Sequence, residues 1–161
     1  MLSWLDLMAL FVLAAALAVG IRQGAPFTLA VLPALVLYVL LAPVVTPWVP
    51  NFVLPLLALV LGLGMAYVTH LIPLARLTPT AEAVVGGFGG LLWGLFLAIT
   101  IWVSFPSEFV ASTGALRYPS EQMPTGIKDG IVSSPFARPL FDWASANPIL
   151  RAALLPSVNH P

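Results

Sequence analysis

The sequence predicts an all-α integral membrane protein, with four transmembrane helices followed by short C-terminal interfacial helices. Three observations carry this. The first is composition. Of 161 residues, 60% are hydrophobic and only 7% are charged, with a mean hydropathy of +1.03. Soluble domains carry about 25% charged residues. Six basic and six acidic side chains cannot cover a water-facing surface of this size. The second is the set of apolar runs. A bilayer core of about 30 Å needs about 20 apolar residues in a helix, and four stretches come close to that length. The third is a row of glycines spaced by four in the last run, a pattern suited to helix packing in lipid.

The first span covers about residues 5–21, with Asp6 near its start. Its Ala16-Leu17-Ala18 has the small-x-small form of a signal cleavage site. No Lys or Arg precedes the apolar run, however, and an acid stands there instead, so the segment reads as a retained helix. The linker "GIRQGAP" (Gly20 to Pro26) then breaks the pattern. Pro26 suits the first turn of the second span, about 26–43, and Pro33 inside that span predicts a kink. "PVVTPWVPN" (Pro43 to Asn51) has too many prolines to be helical throughout. The third span runs about 52–72. "PLARLTPTAE" (Pro73 to Glu82) offers Thr80 as an N-cap for the fourth span, about 83–105, with Glu82 near the positive end of the helix dipole.

The chain divides at this point into a four-helix membrane domain, 1–105, and a Pro-rich tail, 106–161. The tail holds half of the prolines and two thirds of the charged residues. Ser133 to Pro156 reads as two short helical pieces, too short to span. Phe136, Leu140, Phe141 and Trp143 suit the headgroup boundary or the bundle. A loosely ordered tail is the alternative.

Orientation follows from the short loops. Arg22 lies in the first and Arg76 in the third, while the second has no basic residue. The positive-inside rule therefore puts loops one and three in the cytoplasm and both termini outside.

Gly86, Gly90 and Gly94 line one face of the fourth span. Gly87 and Gly89 widen that face. In lipid, helices associate by close backbone approach and dispersion, which a glycine face allows. Ala14, Ala18, Ala16 and Gly20 in the first span, or Gly62 and Ala66 in the third, are possible mates. The face can pack inside the bundle or against a second copy or another protein.

Candidates for chemistry are few. Asp6 reads as an interfacial acid favoured by the helix dipole, or as an ion or proton ligand. His70 reads as a polar tip at headgroup level, and His160 lies in the terminal fray. Ser3, Thr69, Thr100 and Ser104 have no partner pattern for nucleophilic catalysis. There is no metalloprotease, P-loop or nucleophile-elbow motif. Without Cys, no disulfide framework, thiolate metal site or Cys nucleophile is possible. No cofactor is expected. A net charge of zero argues against nucleic acid. No charged residue lies deep in a span, which counts against a proton-driven pump.

"WLDL" (Trp4 to Leu7), an apolar span, "GIRQG" (Gly20 to Gly24), and Glu82 four residues before the glycine ladder occur in that order. In this the chain resembles the CvpA family, the colicin V production proteins of bacteria. The resemblance covers about residues 3–105 and falls on Asp6, Gly20, Arg22, Gly24, Glu82, Gly86, Gly90 and Gly94. The chain departs from the family in having Glu82 where Asp is usual, followed by Ala83 rather than a basic residue. Its first loop is poorer in Arg and Lys, and Pro26 opens its second helix. The resemblance implies a non-enzymatic protein of the bacterial inner membrane, tied to toxin production or export. The same module is sometimes fused ahead of an extracytoplasmic protease, which requires an outside C terminus. Expected partners are the lipid bilayer and another membrane or envelope protein, or a second copy through the glycine face. A small homo-oligomeric channel or transporter subunit is the alternative reading.

Overall fold

The computed structural model describes residues 2–71, 77–110 and 115–155. Four long helices account for the predicted spans: α1 Trp4–Gln23, α2 Ala25–Val45, α3 Leu54–His70 and α4 Pro79–Val103. A 3₁₀ turn, Asn51–Val53, leads into α3. After α4 come a two-stranded antiparallel hairpin, β1 Glu108–Val110 and β2 Ala115–Arg117, and three short helices. These are α5 Thr125–Ser133, α6 Ala137–Ala146 and α7 Pro148–Leu154. With the 3₁₀ turn counted into the third, all four long helices are apolar and long enough to cross a membrane. The protein is thus an all-α membrane protein with a small β-hairpin in its tail.

Local chemistry sets the helix ends. Ser3 caps α1 through a reciprocal capping box with Asp6. Gly24, at φ +76°, separates α1 from α2 in a conformation that L side chains rarely adopt. Thr78, not Thr80, caps α4: its oxygen accepts from the Ala81 amide at 3.4 Å. The reason is Pro79. It holds the preceding residue in extended backbone and fills the first helical position without an amide to satisfy. Thr80 therefore falls inside the first turn, and α4 starts four residues earlier than residue 83. α2 continues through Pro33 and past Pro43. Residue 72, where the third span was expected to end, and Arg76 and His160 lie outside the described residues.

α4 is the centre of the bundle. Over half of its most apolar stretch is buried, 56%, against 22–28% for the other three. α1 lies along it on one side; α2 and α3 pack together and against it on the other. α1 and α3 barely touch one another. On α2 the small residues Ala30, Ala34 and Ala42 recur with Tyr38 at a spacing of four. They meet Leu54, Ala58 and Ala66 of α3 and Trp93 and Leu97 of α4. The Tyr38 ring stands edge-on to Phe96 at 4.9 Å.

The tail holds the two short helical pieces expected over residues 133–156, as α6 and α7. It folds as a cap on the end of the bundle where α1 begins and α4 stops. Tyr118, Ile131, Phe141, Leu154 and Leu155 share one core with Leu5, Ala9, Ala98, Ile101, Trp102 and Val103. α6 divides its apolar residues between the bundle and the outside. Ala137, Phe141 and Ala144 recur at helical spacing and are buried, while Phe136 and Trp143 stay exposed.

Candidate functional site

Two clusters hold the positions singled out in the sequence, one at each end of the α1–α4 contact.

The first is a glycine seam. Gly86, Gly90 and Gly94 face α1, not a surface open to another copy. A Cβ added at Gly90 would lie 2.5 Å from the Ala16 carbonyl oxygen and 2.9 Å from Leu17 Cα. One at Gly94 would lie 2.9 Å from the Leu13 carbonyl oxygen. One at Gly86 would lie 2.7 Å from Gly24 Cα, and one at Gly20 the same distance from Gly90 Cα. Backbone therefore meets backbone over three turns. Of the possible mates, Ala16 and Gly20 supply the facing surface, while Ala14 and Ala18 point outward. Gly62 instead accommodates the indole of Trp93. Gly89 receives Thr28 of α2, whose hydroxyl donates to the Val85 carbonyl at 2.6 Å. Gly24 closes the seam beside Glu82, its virtual Cβ 3.3 Å from Glu82 Cβ. Glu82 in turn accepts from the Leu77 amide at 3.2 Å. Gly20, Gly24, Glu82 and Gly86 thus gather at one end of the bundle, with Arg22 exposed nearby in sequence.

The second cluster centres on Asp6. Asp6 stands in the first turn of α1, at the positive end of the helix dipole, and is 0% exposed. Its carboxylate accepts from the Ser3 amide (2.8 Å), the Ser3 hydroxyl (3.0 Å), the Trp102 indole N–H (2.9 Å) and the Ser134 hydroxyl (2.5 Å). The Ser134 oxygen itself accepts from the amides of Phe136 and Ala137 at 3.2 and 3.1 Å, which anchors the entry to α6. One carboxylate thereby ties together the start of α1, the end of α4 and the α5–α6 turn. Among the described residues no cation pairs with it. Hydrogen-bond donors at a helix N-terminus stabilise its charge in place of a counter-ion.

A second tie runs alongside. The Tyr118 hydroxyl donates to the Trp102 carbonyl, and its ring stacks on Phe141 with centroids 4.1 Å apart. Burial pushes the Tyr118 phenol above the ordinary tyrosine range, so it stays a protonated donor. Trp4 completes the junction: its indole N–H donates to the Gly126 carbonyl at 3.3 Å, and Gly130 leaves room for its ring.

Trp102, Ser134 and Tyr118 escaped the sequence reading. Ser3-x-x-Asp6 ahead of an apolar run is a capping-box signature, so the Ser3–Asp6 pair was legible. Nothing local marks its partners 96 and 128 residues away. The hydroxyls of Thr69 and Thr100 donate to carbonyls of their own helices, at 2.9 and 2.7 Å. Among the described residues no three His, Cys, Asp or Glu side chains come together.

The fold and these clusters define a class: a multi-pass α-helical membrane protein with a glycine-seamed bundle and an ordered cap. No family model, curated protein or solved structure matches the chain.

Proposed function

We propose that this chain is a non-enzymatic accessory or scaffold protein of the bacterial inner membrane. It is of the colicin V production type and serves toxin export or envelope homeostasis, with both termini and the cap outside the cytoplasm. The observation that carries the reading is the cap. Asp6 and Tyr118 fasten it to the bundle, so it is a fixed surface and not a tether. It also exposes large apolar side chains, Phe109 at 68% and Ile149 at 76%. Exposed apolar groups on a fixed platform suit a protein partner. The ordered residue resemblance from Trp4 to Gly94 supports the family, and the Arg22 and Arg76 loops support the orientation.

The channel reading would draw its lining from Thr69, Thr100, Ser104 and Asp6. The hydroxyls of Thr69 and Thr100 bond within their helices and Asp6 is sealed under the cap, which weighs against it.

Native mass spectrometry of the protein gently extracted from its own membrane tests the proposal. A complex with an unrelated membrane or envelope protein is expected. A defined homo-oligomer of 17.1 kDa units that passes ions in liposomes would overturn it. The chain has no Cys, so single cysteines at Ser145 and Gln23 report orientation by impermeant maleimide labelling of spheroplasts. The first should label and the second should not.

A further inference from the structure

We draw no further inference here: the strongest candidate, the half-buried Arg151 guanidinium on α7 where that helix packs against α2, has no partner for its Nε among the described residues, but that atom is sealed inside the protein and so is out of reach of any ligand.

Discussion

Replacing Gly90 by Leu tests the seam at its tightest point. The first added atom, Cβ, would stand 2.5 Å from the Ala16 carbonyl oxygen and 2.9 Å from Leu17 Cα. Ordinary contact is about 3.5–4.0 Å, so α1 must retreat by about 1 Å before the rest of the side chain is placed. Both obstacles are backbone, so no rotamer change relieves them. A gap of about 0.5–1 Å forfeits a quarter to a half of each dispersion contact along the seam. Overpacking alone costs about 1–3 kcal/mol, and leucine adds three more heavy atoms. The opposing gain from better helix propensity is about 1 kcal/mol. We predict a net loss of up to about 2 kcal/mol for Gly90→Leu, from the difference of these terms, and about 1–3 kcal/mol relative to a glycine replaced in open space. The internal control is Gly64→Leu, where an added Cβ meets open space and propensity alone acts. The assay is thermal or denaturant unfolding in mixed micelles, followed by tryptophan fluorescence. At about 2–4 °C per kcal/mol, Gly90→Leu should lower the midpoint by up to about 8 °C and leave it below that of Gly64→Leu. Equal midpoints for the Gly90 and Gly64 variants would refute the seam as a backbone-to-backbone contact.

Four further outcomes are expected. Asp6→Ala leaves the Trp102 indole N–H and the Ser134 hydroxyl without their acceptor, at about 1–3 kcal/mol each; trypsin should then cut after Arg117 and Lys128 faster, and an unchanged rate would show that Asp6 does not hold the cap. Tyr118→Phe keeps the stack on Phe141 but loses the hydrogen bond, and should cost about 0.5–1.5 kcal/mol in the same unfolding assay. Because burial raises the Tyr118 pKa, its stabilisation is fully present below the unfolded value of about 10 and is lost as pH rises beyond it. The wild-type midpoint should decline above about pH 10, with a smaller decline in Tyr118→Phe; parallel alkaline limbs would refute this assignment. Glu121→Gln breaks an exposed pair with Arg117 and should shift stability by less than about 1 kcal/mol, a loss of several kcal/mol being the contrary result.

What the sequence by itself determined is whatever depends on neighbours in the chain. Apolar run length and Gly and Pro punctuation are local, and they marked four spans whose ends lie within a few residues of α1 to α4. The error at Thr80 was also local: Pro79 takes the first helical position, which moves the cap back to Thr78. The spacing of Gly86, Gly90 and Gly94 marked a packing face because helical periodicity is a property of the segment alone.

The tertiary structure decided what those faces meet. A glycine face accepts any helix with small residues, and both α1 and α3 have them; the close fit of Ala16 and Gly20 against Gly86 and Gly90 selected α1. The same holds for Asp6. Its capping box was written in four consecutive residues, but its burial depends on Trp102 and Ser134, which the chain brings to it from far along the sequence. The cap is the largest such case. Its short helices and three-residue strands carry too little apolar surface to announce a fold, and become ordered by sharing a core with Leu5, Ala98 and Trp102. Propensity and punctuation act within a few residues, whereas burial of a polar group is settled by whichever distant donors reach it.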